Sequence, residues 1–522
     1  MSGTFLTSIL LSFATFLSRI LGLVRDVLLA RILGGGVLMS AWSLAWQAPN
    51  LFRRILGEGA LGNALVPILT DTVEKKGADV ARSKFSTITI WLFFLLALIT
   101  AVVSSTALVA EHFAETERWK LAWLTIPVIM PYCILICFVG IFTSVLNTFH
   151  LFFLPAIMNL LPNIFFIGTA YFFLPGLIDT PVRALHTISV AMLISGVLEV
   201  LILSVILKWK NMLPSVTRKA FFDFSAIREV WEKVLPGLIG ASALQVGVLA
   251  DGWIAMSVND YAKAAMYYSD RLVYLPIGLF GVAFGTVSLP LLSKFAASGK
   301  MKSVLISTFT SIRQQMFITI PMMVFMILFA RELLALLFSG GKFGEMELNQ
   351  AYKAMFWYAW GIPFFCLTKL TVNAFYCRKN MKTPAMISIF CIILNIILSL
   401  ILKGPMAQGG IALATVITSI LNNAVLLWIL RKDFGRMPLN GTCKFSGIIL
   451  FLSGMAGVAA WYTFDWLQQH PEYHFLPCGI FQLGCAGVVF STVFIVLAAL
   501  FRIHELKNAV KLITSKLRRR RQ

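Results

Sequence analysis

The chain has 522 residues, of which 59% are hydrophobic and 13% are charged. Soluble domains carry about twice that share of charged residues, so the composition excludes a soluble protein and predicts a polytopic membrane protein. Lysine and arginine outnumber aspartate and glutamate by 44 to 23. In a membrane protein this excess indicates basic cytoplasmic loops, so we expect contacts with membrane lipids and not with nucleic acid.

Apolar runs bounded by charges or turn residues predict an all-α fold of about fourteen transmembrane helices. The first run is too long for a cleavable signal peptide and lacks a basic leader, so it predicts a span that is retained. The predicted spans are 5–33, 38–70, 86–110, 121–147, 152–174, 184–207, 234–257, 264–292, 304–330, 350–376, 384–402, 409–430, 445–466 and 477–501.

The loops predicted on one side of the membrane carry most of the basic residues. With a cytoplasmic amino terminus, the cytoplasmic loops and the tail hold 28 lysines and arginines, and the opposite loops hold 7. This positive-inside bias and the even number of spans predict that both termini are cytoplasmic. The basic end of the chain, 516–521, predicts an anchor on anionic lipid headgroups.

Two stretches of the chain repeat at similar spacing. Residues 60–69 match residues 283–292 at an offset of 223, and the Asn147 region matches the Asn373 region at an offset of 226. Each copy holds six spans, so the copies have parallel topology and predict two six-helix lobes. The predicted domains are a first lobe at 1–210, an amphipathic cytoplasmic connector at 211–233, a second lobe at 234–432, two additional helices at 433–501 and a basic cytoplasmic tail at 502–522.

Both copies of the repeat place arginine inside a predicted span: Arg19 and Arg25 in the first, Arg53 in the second and Arg271 in the eighth. A charge at the bilayer centre costs about 2.5–3.5 kcal/mol on insertion scales, so such residues usually face a wet cavity or a partner. The guanidinium fork binds phosphate bidentately, so the four arginines predict a site for an anionic substrate. The alternative is a set of salt bridges that fixes helix packing.

Three acidic residues lie near these arginines in the sequence, namely Asp26, Glu58 and Asp270. They are candidates for gating groups or counter-charges. Three carboxylates cannot neutralise four buried arginines, so a surplus of positive charge is expected.

A second polar set lies in the later spans. Asp251 in span 7, Asn395 in span 11 and the pair Thr415 and Thr418 in span 12 offer oxygen ligands to a hard cation such as Na⁺. The alternative is that each makes a structural polar contact.

The sequence contains no nucleotide-binding, hydrolase or metal-hydrolase motif. No loop is long enough to form a nucleotide-binding domain. These observations predict a transporter without a cofactor, and not an enzyme, driven by an ion gradient such as Na⁺, by the membrane potential or by substrate supply.

Several segments resemble the MurJ (MviN) family. They are LSRILGLVRD at 17–26, PNLFRRILGEGA at 49–60, YYSDRL at 267–272, GKF at 341–343 and FYCR at 375–378. The resemblance covers nearly the whole chain. It implies a lipid II flippase of the MOP exporter superfamily, with fourteen helices in two lobes around a cationic cavity and a groove at the two additional helices for the undecaprenyl tail.

The resemblance also implies roles for particular residues. The family's essential arginines match Arg19, Arg25, Arg53 and Arg271, and its glutamate after the second-helix arginines matches Glu58. Two positions depart from the family pattern. Many members have an acid where this chain has Ser40. Members with a sodium site have one acid on helix 7 and one on helix 11. This chain has Asp251 at the first of these positions and Asn395 in the span that corresponds to helix 11.

We therefore predict a monomeric lipid II flippase of the bacterial inner membrane that works by alternating access, with the arginines binding the diphosphate. One alternative is a flippase for another undecaprenyl-diphosphate-linked polysaccharide. A multidrug cation exporter is disfavoured, because cationic drugs require acids in the cavity. A non-transporting membrane scaffold is the alternative from another class, and it needs neither arginines in both copies nor an internal repeat.

Overall fold

A computed structural model describes residues 2–57, 60–149, 151–177, 179–434, 439–470 and 478–507. Within these ranges the chain is helical, apart from turns and one isolated β-bridge between Gly340 and Phe343. A helix satisfies the backbone polar groups of an apolar run internally, which lipid cannot do. The predicted all-α fold class is confirmed.

The helices follow one another with short connections. The first eleven are α1 (Ser2–Leu33), α2 (Val37–Phe52), α3 (Ala60–Lys76), α4 (Ala78–Glu111), α5 (Glu117–Ile129), α6 (Tyr132–Thr148), α7 (Phe153–Met158), α8 (Leu161–Phe172), α9 (Pro181–Trp209), α10 (Arg218–Phe221) and α11 (Phe224–Met256). The remaining ten are α12 (Ala262–Pro276), α13 (Val282–Ala297), α14 (Met301–Leu328), α15 (Ala330–Phe338), α16 (Glu345–Trp360), α17 (Ile362–Tyr376), α18 (Lys382–Met406), α19 (Gln408–Phe434), α20 (Leu439–Gln469) and α21 (Cys478–Leu500). A 3₁₀ turn, Leu174–Leu177, precedes α9.

Nine helical segments in the described ranges are long and apolar enough to cross a membrane. A tenth candidate is the pair α5 and α6, which bends by 49° at its break. These ten correspond to ten of the fourteen predicted spans. Two of the other four are interrupted helices, because a π-helix separates α2 from α3 and Gly361 separates α16 from α17. The count of fourteen stays a prediction.

The contacts divide the chain into two compact units. Unit 1 is Met1–Ala264 with Gly340–Glu347, and unit 2 is Ala265–Ser339 with Leu348–Gln522. The second copy of the repeat begins at residue 234, but unit 1 extends to Ala264. The difference arises because α11 packs on α2, α3 and α4 of unit 1. The five segments predicted from the sequence stay a prediction.

In unit 1, α5, α6 and α8 all pack against α9, and α1 packs on α8. The core between these helices is aromatic. Trp42 is buried, stacks on Trp46 with ring centroids 5.7 Å apart and meets the edge of Phe166 at 5.6 Å. These contacts fix α2 and α8, the helices that lie beside the polar stretch of α1.

In unit 2, α14 packs on α17 and α20, α18 packs on α19, and α20 packs on α21. The two additional helices, α20 and α21, therefore pack against each other. They join the rest of the unit mainly through α14.

A π-helix stands at the equivalent place in each copy of the repeat. The first is Arg53–Gly57 and the second is Ile277–Gly281, so they begin 224 residues apart, close to the offset of 223 found in the sequence. A side chain at Gly57 would lie 3.2 Å from the Cα of Cys137, and one at Gly281 would lie 3.3 Å from the Cα of Cys366. Both π-helices thus end at a glycine that allows a neighbouring helix to approach closely.

Candidate functional site

Arg25 and Asp26 on α1 form an ion pair inside unit 1. Both Nε and Nη2 of Arg25 donate to Oδ1 of Asp26, at 3.0 and 2.9 Å. Nη1 donates to Oδ1 of Asn163 on α8 at 3.0 Å, and the guanidinium lies 5.8 Å from the centre of the Phe166 ring. The Asp26 side chain is 4% exposed. Arg25 was predicted as a substrate-binding residue and Asp26 as a gating group or counter-charge. In the structure the two side chains form an ion pair, so Asp26 is a counter-charge of Arg25.

The other arginine of α1 differs from Arg25 in its surroundings. The Arg19 side chain is exposed, and its expected place in a wet cavity stays a prediction. The hydroxyl of the neighbouring Ser18 donates to the carbonyl of Asn159, between α7 and α8, at 3.5 Å.

Arg53 begins the first π-helix and is half-buried. Glu199 on α9, in the same unit, is an acid whose side chain is fully buried. The hydroxyl of Ser195 donates to Oε1 of Glu199 at 3.3 Å. Glu199 is absent from the site residues predicted from the sequence. A single acid inside an apolar span is the signal that could have identified it, because ionisable residues in a span are often functional. The predicted counter-charge Glu58 lies outside the described residues.

The arginine of the second copy, Arg271 on α12, belongs to unit 2 and is exposed. Its Nη2 donates to the hydroxyl of Tyr267 at 2.9 Å, and its guanidinium lies 4.5 Å above the centre of that ring. A tyrosine ring orients a guanidinium while leaving its charge in place. Asp270, the neighbouring candidate for a counter-charge, is half-buried.

The predicted cation ligands divide between the two units. Asp251 lies half-buried on α11 in unit 1. In unit 2, the amide nitrogen of Asn395 donates to the hydroxyls of Thr415 at 3.1 Å and Thr418 at 3.5 Å. Both hydroxyls donate in turn to carbonyls of their own helix, α19.

This cluster in unit 2 has the geometry of a helix-to-helix hydrogen-bond network. Its amide presents its donor side to the two hydroxyls, whereas a sodium site needs converging oxygen ligands. Across the described residues there is no group of three or more histidine, cysteine or acidic side chains that could hold a metal ion. These contacts agree with the alternative of structural polar contacts, and sodium dependence stays a prediction.

Ser40, where the family pattern has an acid, is fully buried and connects α2 to the segment before α12. Its hydroxyl donates to the carbonyl of Asp260 at 2.7 Å and accepts from the backbone N–H of Ala264 at 3.2 Å. The Asp260 carboxylate is itself paired with Arg118 on α5. The serine hydroxyl thus bridges backbone groups within unit 1, a task for which no charge is needed.

An apolar groove of about 380 Å³ lies between α14 and α21 in unit 2. Aromatic pairs line it: Phe317 lies 5.3 Å from Phe494, and Phe325 lies 5.4 Å from Phe490, between ring centroids. Glycine at position 487 leaves room beside these rings. The groove is lined by one of the two additional helices.

Comparison with known proteins decides the class of this chain. The family model described as lipid II flippase MurJ matches residues 29–500. The chain belongs to the MurJ family of lipid II flippases. The lipid II flippase MurJ of Burkholderia cenocepacia is 29% identical over 470 residues, which cover 88% of this chain and 90% of that protein.

Solved structures show the same fold. A structure described as lipid II flippase MurJ in an inward closed conformation has a TM-score of 0.75 at 23% identity, and the match covers 94% of this chain and 99% of the other. An inward-facing MATE multidrug resistance transporter of the MOP superfamily has a TM-score of 0.65 at 14% identity, covering 84% and 99%. The chain is therefore a multi-pass membrane protein with the fold shared by MurJ and MATE proteins.

Membership of the MurJ family also confirms that the chain is a transporter and not an enzyme. Of the arginines predicted from the sequence, Arg25 has a buried carboxylate beside it in Asp26. The surplus of positive charge expected from the sequence stays a prediction. Glu199 adds one buried carboxylate that the sequence count omitted.

Proposed function

We propose that this protein moves lipid II from the cytoplasmic to the periplasmic leaflet of the bacterial inner membrane. The observation that carries the proposal is the family match over residues 29–500. The chain also places arginine within the first two spans of each repeat copy. No covalent bond is made or broken. The protein supplies a polar path for a headgroup that the bilayer core would otherwise exclude.

The arginines are proposed to bind the diphosphate of the lipid. Arg25 presents two of its nitrogens to one carboxylate oxygen of Asp26, the arrangement that a phosphate oxygen can replace. Arg271 is oriented by the ring of Tyr267, which leaves its charge available to an anion. Exposed Arg19 and half-buried Arg53 complete the set.

The undecaprenyl tail is proposed to lie in the apolar groove between α14 and α21 while the headgroup crosses. The groove is lined by phenylalanine, methionine, isoleucine and proline side chains, which suit a prenyl chain. Keeping the tail in an apolar groove avoids the cost of moving it through the polar path.

Alternating access is the proposed mechanism, in a monomer whose termini are both cytoplasmic. It is supported by the repeat and by the π-helices at equivalent positions, because such local irregularities are frequent at functional hinges. The energy source is proposed to be an ion gradient, with Na⁺ as a candidate, or the membrane potential.

Complementation of a bacterial strain depleted of its own lipid II flippase tests this function. The wild-type gene is expected to restore growth, while Arg53→Ala and Arg271→Ala abolish it at equal protein abundance. Arg228→Ala is the matched control, because Arg228 is exposed and pairs with Glu232 one turn away on α11. Restored growth by both site variants would refute the arginine site. If the wild-type gene does not restore growth of the depleted strain but rescues a strain that lacks a flippase for another polysaccharide-linked lipid, the substrate is that other lipid and not lipid II.

A further inference from the structure

Lys369 is a cation inside the predicted span 350–376, and the proposed transport site gives it no role. It lies on α17, seven residues before the end of that helix at Tyr376. Its side chain is exposed, and no residue in the described part of the chain forms an ion pair or hydrogen bond with its ammonium. A lysine inside a span is costly in contact with lipid, so such residues usually face a water-filled path or an anionic partner.

The stem of Lys369 lies against α13 at Gly285. A Cβ at position 285 would lie 2.7 Å from both Cγ and Cδ of the lysine, so the glycine makes room for the stem. One turn further along α17, the amide nitrogen of Asn373 donates to the carbonyl of Gly285 at 2.6 Å and to the hydroxyl of Ser288 at 2.8 Å. Hydrogen bonds of Asn373 thus join the two helices, and the lysine adds only its apolar stem to the contact.

The first copy of the repeat makes the equivalent contact without a charge. Gly62 on α3, which corresponds to Gly285, packs against Ser144 on α6, and a Cβ at Gly62 would lie 3.0 Å from the serine hydroxyl. At the offset of 226 residues, the counterpart of Lys369 is Thr143, also on α6. Because the first copy packs the same two helices with serine and threonine, the packing of the repeat does not require the lysine.

Lys369 lies at a different level from Arg271, the arginine of the same unit that is proposed to bind the diphosphate. Arg271 and Gly285 are 14 residues apart in the segment Ala262–Ala297, which is long and apolar enough to form one span. At a rise of about 1.5 Å per residue, the lysine stem lies about 20 Å from Arg271 along this span. The guanidinium of Arg271 lies over Tyr267, one turn farther away. One diphosphate cannot contact both cations, so the lysine suits a second anionic group.

We propose that Lys369 binds a carboxylate of the peptide in the lipid II headgroup. This rests on the proposed function, in which the arginines bind the diphosphate of the same molecule. A peptide of about five residues spans up to about 17 Å when it is extended. With the sugar between them, the diphosphate and the end of the peptide reach the separation of Arg271 and Lys369. The lysine ammonium is a compact charge with three donors, which suits a single carboxylate.

The test compares two lipids in binding to the full-length protein in nanodiscs. Lipid II carries the peptide, and undecaprenyl diphosphate has the same tail and diphosphate without sugar or peptide. Lys369→Met keeps an unbranched apolar stem over Gly285 and removes the charge. We expect this variant to bind lipid II about tenfold more weakly than wild type and to bind undecaprenyl diphosphate equally well. Lys302→Met is the matched control, because Lys302 is exposed in the first turn of α14, and it should behave as wild type.

A third lipid identifies the group that the lysine contacts. Lipid II with amidated peptide carboxylates should bind the wild-type protein as weakly as Lys369→Met binds lipid II, and it should not distinguish the two proteins. Unchanged lipid II affinity in Lys369→Met would overturn the proposal. An equal loss for lipid II and undecaprenyl diphosphate would also overturn it, since the lysine would then act at the diphosphate.

Two further variants keep the test decisive if Lys369→Met fails to fold. Lys369→Thr introduces the residue of the first copy and should lose lipid II affinity as the methionine variant does. Lys369→Arg restores the charge and should recover most of the affinity, and an arginine variant as weak as the threonine variant would contradict the charge contact. A wild-type protein that binds neither lipid would refute the proposed function itself, which differs from the outcome in which wild type and Lys369→Thr bind lipid II alike.

Discussion

At the scale of single residues, the arginines differ in the side chains that hold them. Arg25 pairs with the buried carboxylate of Asp26, whereas Arg271 lies over the ring of Tyr267. The sequence predicts the arginines, because charge within an apolar run is conspicuous. It does not predict the Arg25–Asp26 pair, since adjacent residues on a helix point about 100° apart and only the curled arginine side chain closes the gap.

A double-mutant cycle measures the Arg25–Asp26 pair. Arg25→Gln and Asp26→Asn should each lower the stability of the purified protein, because each leaves one largely buried charge without its ionic partner. The double variant should lose less than the sum, with a coupling energy of about 1–3 kcal/mol in unfolding experiments. The exposed pair Arg228–Glu232 is the control and should give about 0.3–0.5 kcal/mol. Additive losses at Arg25 and Asp26 would contradict the ion pair.

At the scale of helices, close approach through glycine shapes both repeat copies. In the first copy Gly140 of α6 meets the π-helix at Gly57, and in the second copy Gly281 meets α17 at Cys366. The sequence predicts an internal repeat. It cannot predict the π-helices themselves, because the extra residue in the turn is fixed by the packing partner and not by local propensity.

Alanine at position 140 tests this close approach. A Cβ there would lie 2.7 Å from the backbone carbon of Gly57, so Gly140→Ala must separate α6 from the π-helix at a cost of about 1–3 kcal/mol. Gly168→Ala in α8 is the control, since a Cβ at Gly168 meets no atom within 4 Å. We expect a lower unfolding midpoint and lower growth complementation for Gly140→Ala, and wild-type behaviour for Gly168→Ala. Equal behaviour of the two variants would show that the approach is not tight.

At the scale of the whole molecule, composition and apolar runs are sufficient to predict a helical membrane protein, and two pairs of matching stretches predict the repeat within it. The division of the chain into unit 1 and unit 2 could not be predicted from composition or apolar runs. Residues 340–347 join unit 1 through tertiary contacts at the Gly34–Gly36 turn, where the N–H of Lys342 donates to the carbonyl of Arg31 at 2.8 Å. A backbone hydrogen bond between segments three hundred residues apart leaves no periodic signal in the sequence.

The groove between α14 and α21 was predictable in part. The two spans left over by the repeat indicated additional helices, and the family resemblance assigned them a groove. The participation of α14 follows only from the packing of its phenylalanines against those of α21. Unit 2 thus carries an apolar groove, and the predicted arginines lie on other helices.

The most direct test of the account measures lipid II in the outer leaflet of cells depleted of their own flippase. Cells that express this protein should display lipid II to an externally added probe that cannot cross the membrane. Cells that express Arg53→Ala at the same abundance should retain lipid II on the cytoplasmic side. Failure of the wild-type protein to expose lipid II, or equal exposure by the Arg53→Ala variant, would contradict the central claim.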